Sequence, residues 1–164
     1  MIGKKLQDAF NAHVRDELFS ANLYLAMSAH CESKAFKGFG RWLRVQYQEE
    51  LQHAAKFVDY LVARGGEVSI GSVEAPGTGF GPPLQVFEAV LKHEQAVTAS
   101  LNKLYALADA EGDAAAHIFL QWFVNEQVEE EASVQEIVDK LRLIGDKSSA
   151  ALYLDKEYGK RGQK

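Results

Sequence analysis

Glu50 and His53 stand three residues apart in the run Gln48-Glu49-Glu50-Leu51-Gln52-His53. This spacing is about one helical turn, so on a helix the carboxylate and the imidazole share one face. Apolar residues recur around them at intervals of three and four, as on the buried face of a helix. A Glu-x-x-His pair that projects into a helical bundle supplies half of the ligands of a carboxylate-bridged dimetal site. The same pair also occurs on ordinary helices, so the interpretation depends on carboxylates from other helices.

Three further segments with helical periodicity carry polar residues at mid-length on their apolar faces. The four sets are Glu17, Glu50 with His53, Glu94, and Gln127 with Glu130. Burying four carboxylates without compensation costs several kcal/mol apiece, and two divalent cations would balance their charge. Oxygen-rich coordination with one imidazole suits iron or manganese better than a structural zinc ion. Buried ion pairs are the structural alternative, but the apolar faces carry no lysine or arginine to make them.

Five helices and one long connection must position these residues. The helices are expected at about residues 4–33, 39–65, 84–110, 113–143 and 147–157. Residues 67–83 contain all three prolines and four glycines, which predicts an extended crossover loop. A loop of this length can run along a bundle and make the second and third helices parallel. The sequence therefore predicts one all-α domain over residues 1–164, a four-helix bundle with one crossover and a short C-terminal fifth helix.

The sequence also makes predictions for the start of the second helix and for the C-terminal segment. Gly38 and Gly40 interrupt the periodicity, which predicts a turn between the first two helices. The fifth helix has no place inside a finished bundle, so an intermolecular role is expected. The tail, residues 159–164, is expected to be frayed.

Composition and charge exclude several classes of function. The 164 residues include 18 basic and 23 acidic side chains, a formal net charge of −5, which argues against a nucleic-acid partner. The single cysteine, Cys31, excludes an intrachain disulfide. The first residues lack an apolar signal core, and no apolar run approaches the length of a membrane span. We therefore expect a cytoplasmic protein with no membrane partner.

The chain resembles bacterial non-haem ferritins over nearly its whole length. The resemblance rests on Glu17 and Tyr24, on residues 48–53 and 92–95, and above all on Leu120-Gln-Trp-Phe-Val-Asn-Glu-Gln-Val-Glu-Glu-Glu131. It implies a ferritin-like fold and two iron positions that share Glu50. The first would be held by Glu17, Glu50 and His53. The second would be held by Glu50, Glu94 and Glu130, with Gln127 beside them.

Further residues take a role only through this resemblance. Glu49, Glu126 and Glu129 would form a third, weaker iron site together with Glu130; the alternative is a solvated acidic face. Tyr24 would correspond to the redox-active tyrosine of the family; the alternative is a core aromatic residue with a satisfied hydroxyl. Trp122 is interpreted as a packing residue. The remaining histidines are interpreted as surface or structural residues: His13, His30, His93 and His117.

Two differences separate this chain from related families. Haem-containing bacterioferritins repeat the Glu-x-x-His motif on the fourth helix, where this chain has Gln127 and Glu130. No haem is therefore expected, and the second iron should be bound more loosely. Rubrerythrins carry a rubredoxin-type set of cysteines, which one cysteine cannot supply.

The resemblance implies an iron-storage ferroxidase. Such a protein oxidises Fe(II) to Fe(III) with dioxygen or hydrogen peroxide and deposits the product as a mineral inside a shell of twenty-four subunits, with the fifth helix along the four-fold axes. One alternative is a diiron oxidase or peroxidase that stores nothing. Another, from a different class, is a helical interaction module without enzymatic activity.

Overall fold

The computed structural model describes residues 1–145 and 148–162 and contains five helices in that part of the chain. They are α1 (Lys4–Ser33), α2 (Lys37–Ala63), α3 (Pro83–Ala110), α4 (Ala114–Ile144) and α5 (Ser148–Tyr158). No strand occurs in the described residues. The predicted fold class, an all-α bundle with a short fifth helix, is confirmed. Within the same residues, no helix combines the length and the hydropathy that crossing a bilayer requires.

Helices α1 and α2 form an antiparallel pair. Phe10, near the start of α1, packs edge-on against Phe57, near the end of α2, with ring centroids 5.1 Å apart. At the opposite end of the pair, the Ser28 hydroxyl donates a hydrogen bond of 2.7 Å to the carbonyl of Gly40. The two helices therefore contact each other near both of their ends.

The long connection is a crossover, as the sequence predicted. His30, near the end of α1, lies 2.8 Å from the carbonyl of Gly81, just before α3 begins. Ser20, further back along α1, lies 2.7 Å from the ring of His93 in α3. Helix α3 thus runs antiparallel to α1 and parallel to α2. The connection spans residues 64–82.

The two glycines at the start of α2 have a different role from the predicted one. Helix α2 begins at Lys37, so Gly38 and Gly40 lie inside it and do not form the turn. The turn is made by Ala35, whose φ of 68° is unusual for a residue with a side chain. A Cβ on Gly38 would lie 1.7 Å from the backbone oxygen of Asp155. Glycine is needed there because α5 approaches the backbone of α2 directly.

Both limits of α1 and the end of α3 agree with the predicted ones, and the other helix limits differ by one or two residues. Helix α2 ends at Ala63 rather than residue 65, because Gly65 adopts a φ of 67°. Helix α4 begins one residue late because Asp113 is its N-cap, accepting a 3.0 Å hydrogen bond from the Ala116 amide. The predicted start of the fifth helix, residue 147, lies outside the described residues.

Helix α5 has a partner within its own chain, which the intermolecular expectation did not include. The Phe39 amide donates a 2.7 Å hydrogen bond to the Asp155 carboxylate, tying α5 to the start of α2. Leu152 and Tyr153 remain exposed on its other side. Fraying of the tail does not extend to Arg161, whose guanidinium contacts residues of α2. Residues 163–164 lie outside the described part of the chain.

The core consists of two apolar clusters. Cluster one includes Leu6, Phe10, Val14, Phe57, Leu61, Leu101, Leu120 and Phe123. Cluster two includes Tyr24, Met27, Phe39, Leu43, Phe87, Val90, Val134 and Ile137. Each of the four long helices contributes to both clusters, so a layer across the middle of the bundle is left between them.

Candidate metal centre

The layer between the two apolar clusters is polar. All four long helices contribute to it, and each of six side chains predicted for the metal sites is at most 5% exposed. These residues are Glu17, Glu50, His53, Glu94, Gln127 and Glu130. Helical periodicity brings them together because each polar residue replaces one apolar residue on the inward face of its helix. The structure therefore places the predicted carboxylates in one buried layer.

Helices α1 and α2 supply what we call the first half of the centre. One potential ligand atom from each of Glu17, Glu50 and His53 lies within 4.8 Å of the others. His53 Nδ1 lies 3.3 Å from Glu50 Oε2 and 3.9 Å from Glu17 Oε2. Two carboxylates and an imidazole at these distances can converge on a single cation.

Helices α3 and α4 supply the second half, which contains no histidine. The Gln127 amide donates a 3.0 Å hydrogen bond to Glu94 Oε2. The hydroxyl of Tyr24, on α1, donates a short hydrogen bond to the other oxygen of Glu94. Both donors hold the Glu94 carboxylate in a fixed orientation. The sequence placed Tyr24 next to the centre, and its hydroxyl contacts a predicted ligand directly.

Gln46 joins the two halves, and the sequence analysis did not identify it. Its amide nitrogen donates hydrogen bonds of 2.7 Å to Glu130 Oε2 and 3.2 Å to Glu50 Oε1. The side chain is fully buried. The available signal was its position four residues before Glu50, which puts both side chains on one face of α2.

His13, interpreted from the sequence as a surface or structural residue, is buried beside a predicted ligand. It is 2% exposed, and its Nε2 atom lies 2.8 Å from Glu17 Oε1. Neither ring nitrogen makes a hydrogen bond of normal geometry with the described residues, and Glu17 Oε2 also lacks one. The signal was again a spacing of four residues, from His13 to Glu17 on the inward face of α1.

Burial controls the protonation of the centre. It raises the pKa values of Glu17, Glu50 and Glu94 to about 7, and that of Glu130 to about 8. Burial acts in the opposite direction on His53, but the carboxylates of Glu50 and Glu17 outweigh it and raise the His53 pKa to about 9. Without metal, the carboxylates therefore hold protons near neutral pH that a bound cation would displace.

The fold and the carboxylate layer agree with one family of known proteins. A family model described as a ferritin-like domain matches residues 7–144. The chain belongs to the ferritin family.

Its relatives match it from end to end. It is 44% identical over 161 residues to a bacterial non-heme ferritin of Bacteroides fragilis, covering 98% of this chain and 100% of the relative. A bacterial non-heme ferritin of Staphylococcus saprophyticus is 38% identical over 98% of this chain and 96% of its own. The crystal structure of an open pore ferritin from the archaeon Archaeoglobus fulgidus has a TM-score of 0.97 and 47% identity, covering 98% and 99% of the two chains. The resemblance to non-haem ferritins is therefore confirmed.

The donor set of this ferritin chain fits iron. It is rich in carboxylate oxygens with one imidazole, as hard and intermediate divalent cations prefer. Glu17 Oε2 is buried and makes no hydrogen bond. A buried oxygen without a partner is expected where the oxygen serves as a metal ligand.

The three residues of the expected third site are less closely associated. Glu49 and Glu126 are half-buried and Glu129 is exposed. Within the described residues, the one cluster with metal-binding geometry is Glu17, Glu50 and His53, so neither these three residues nor Glu94 and Glu130 of the second half form another. Glu49 is instead paired with the guanidinium of Arg161.

The other aromatic and histidine residues near the centre make packing contacts. The ring of Trp122 stands edge-on to that of His53, with centroids 5.6 Å apart, and Lys56 Nζ lies 3.2 Å from the Trp122 ring centroid. The ring of His117 packs at a tilt against that of Tyr105, with centroids 3.9 Å apart. These contacts agree with the structural interpretation of Trp122 and His117.

Proposed function

We propose that this ferritin stores iron and acts as a ferroxidase, oxidising Fe(II) at the carboxylate centre between its two apolar clusters. The observation that carries the proposal is the burial of four carboxylates and one imidazole in a single layer. That arrangement costs free energy in the metal-free chain, and cations would offset the cost. Full-length similarity to proteins named non-heme ferritins supports iron as the cation.

In the proposed reaction, two Fe(II) ions are the substrate and occupy the two halves of the centre. Glu17 and His53 hold one ion, Glu94 and Glu130 hold the other, and Glu50 lies between them. Two ions give up two electrons to dioxygen, which takes two protons and becomes hydrogen peroxide. Hydrogen peroxide can itself oxidise two further Fe(II) ions, taking their two electrons and two protons and becoming two water molecules. The protein supplies ligand geometry and accepts or releases the protons at its carboxylates.

The residues around the ligands fix their orientation. Tyr24 and Gln127 hold Glu94, while Gln46 holds Glu50 and Glu130. These hydrogen bonds keep the oxygens in place before iron arrives, which reduces the reorganisation that binding requires. We also propose that Tyr24 donates an electron in the reaction. The contact of its hydroxyl with Glu94 supports this role.

Product handling is also part of the proposal. The second half has no imidazole, so Fe(III) should leave it more readily than the first half. Glu49, Glu126 and Glu129 would form a weaker third site on the path toward the mineral. We further propose a cytoplasmic homo-oligomer of twenty-four subunits that encloses the mineral, with α5 at the four-fold axes.

Aerobic addition of Fe(II) to the metal-free protein tests the function. The wild type should oxidise Fe(II) rapidly, and far more iron than two ions per chain should co-elute with the protein at very high mass in size-exclusion chromatography. Glu50→Ala should slow the oxidation at least about 100-fold because the shared ligand is lost. Glu88→Ala is the matched control, since Glu88 makes an exposed ion pair with Arg142.

Two other outcomes would contradict the proposal. Two ions per chain on a small oligomer, without mineral, would indicate a diiron oxidase or peroxidase that stores nothing. Absence of iron binding would return the buried glutamates to a structural role, as in a helical interaction module.

A further inference from the structure

Arg161 reaches the edge of the carboxylate layer from the segment that follows α5. Its Nη1 atom donates a 2.8 Å hydrogen bond to Gln46 Oε1, and its Nη2 atom donates a short one to Glu49 Oε2. The guanidinium also stacks on Trp42, with Cζ 4.2 Å from the ring centroid. Three partners on α2 therefore fix a side chain that is 24% exposed.

The guanidinium of Arg161 places a permanent positive charge beside Glu49, a carboxylate that is expected to bind metal. Arginine stays protonated at every physiological pH, so this charge cannot be removed by titration. Burial, with a smaller contribution from the Glu50 and Glu126 carboxylates, raises the pKa of Glu49, whereas the charge of Arg161 acts to lower it. A cation is therefore stabilising at this position, and in the metal-free chain the cation is Arg161.

The same contact reaches the dimetal centre through one residue. The Gln46 oxygen accepts from Arg161, so its amide nitrogen must point the other way, toward Glu50 and Glu130. A bound guanidinium thus fixes the orientation of the amide that joins the two halves. The expected third site and the dimetal centre share this network.

We propose that Arg161 is a built-in competitor for metal at Glu49: its guanidinium occupies the position of a third metal ion, and that ion must displace it to bind. The proposal rests on the proposed function, because it takes Glu49 as a metal ligand. Arg161 would then set the difference in affinity between the metal sites. It lowers the affinity of the third site, and it reaches the ligands of the first two ions only through Gln46.

Anaerobic equilibrium dialysis of the full-length, metal-free protein against Fe(II), with iron analysis per chain, tests the proposal. We expect two ions to bind tightly to the wild type and a third to bind more weakly. Arg161→Ala should tighten the third ion about tenfold and leave the first two within about twofold, because only the competing cation is removed. Arg161→Gln should behave in the same way, since it can keep the hydrogen bond to Gln46 without the charge.

Lys160→Ala is the matched control. Lys160 is the neighbouring cation, but it pairs with Glu157 at 2.7 Å and is 59% exposed, so this variant removes the same charge from the same segment. Its third-ion affinity should equal that of the wild type.

Three results would overturn the inference. One is an unchanged third-ion affinity in Arg161→Ala. Another is an equal increase in Arg161→Ala and Lys160→Ala, which would indicate a general charge effect. The last is weaker binding of the first two ions in Arg161→Ala with an unchanged third, which would make Arg161 a support for Gln46. Failure of the proposed function would be separately visible, because the wild type would then not bind the first two ions.

Discussion

In the half of the centre from α1 and α2, an imidazole lies close to two carboxylates, whereas in the half from α3 and α4 the Glu94 carboxylate is held by the amide of Gln127 and by the phenol of Tyr24, which reaches it from α1. His53 carries a proton up to a pKa of about 9 because Glu17 and Glu50 face it, so the first half contains a cation of its own. In the second half, Glu94 receives only neutral donors, from Tyr24 and Gln127.

Because of this difference, a metal ion displaces an additional proton in the first half. There it replaces the proton on His53 as well as protons on Glu17 and Glu50, whose pKa values burial raises to about 7, and it binds where ligand atoms already converge. In the second half, it replaces protons on Glu94 and Glu130, whose pKa values burial raises to about 7 and about 8. Both exchanges release protons, but only the first half supplies a nitrogen ligand.

Substitution of the residue unique to each half should separate them most clearly. His53→Ala should weaken the tighter Fe(II) ion about 100-fold, because it removes a direct ligand. Gln127→Ala should weaken the looser ion by about tenfold or less, because Gln127 orients Glu94 through one hydrogen bond. Anaerobic dialysis with Fe(II) measures both.

His117→Ala is the control for loss of a histidine, since the His117 ring packs against Tyr105 and is not among the residues of the centre. It should leave both ions unchanged. Equal losses in His53→Ala and Gln127→Ala would show that the two halves are equivalent. If both variants weakened the same ion, both residues would belong to one site. Either result would contradict the division into two halves.

The stability of the metal-free protein should fall as the pH rises from 6.5 to 9. The buried carboxylates titrate near 7 to 8 in the folded chain and near 4.5 when unfolded, so the folded chain binds more protons and loses stability as they dissociate. His53 acts in the same direction, because its pKa rises from 6.5 to about 9 on folding. We expect the Tm to drop by about 5–10 °C over this range.

Bound Fe(II), kept anaerobic, should abolish most of that dependence, since the cation replaces the protons. Glu130→Gln should also reduce it, because the amide removes the carboxylate with the highest pKa of the four. A metal-free Tm that rises between pH 6.5 and 9 would contradict the protonation states assigned to both halves.

Periodicity made the ligands predictable, and it also explains which residues were missed. Glu17 and Glu94 could be found because a carboxylate on an apolar face breaks a pattern. Gln46 and His13 lie on the same faces, but no glutamate at the spacing of a known motif drew attention to them, as Glu50 did to His53 and Glu130 to Gln127. An uncharged amide or imidazole without such a motif is more often an ordinary buried residue. Arg161 was unpredictable for another reason: it depends on where α5 docks.

One of the two glycines at the start of α2, Gly38, marks the place where α5 docks. Glycine at a helix end is typical of a turn, and the sequence was interpreted that way. In the structure, Gly38 instead lets the backbone near Asp155 approach α2. A local signal thus reported a contact more than 100 residues away in the chain, which no short-range pattern distinguishes from a turn.

His13 gives the smallest expected effect and the one most specific to the first half. Its ring is buried beside Glu17 without a regular hydrogen bond, and burial lowers its pKa to about 4, so it is neutral at pH 7. His13→Leu should remove an unsatisfied polar group and raise the free energy of unfolding of the metal-free protein by about 1 kcal/mol. It should also weaken the tighter Fe(II) ion by about tenfold or less, because Glu17 loses its neighbour.

The two effects of His13→Leu have opposite signs, and this separates a functional role from a structural one. If His13 only fills space, stability and metal affinity should change together or not at all. His13→Gln, which restores a donor that can reach Glu17, should recover the affinity of the wild type without the gain in stability. Recovery by glutamine would mean that the first half accepts a cost in stability in order to hold Glu17 in its metal-binding orientation.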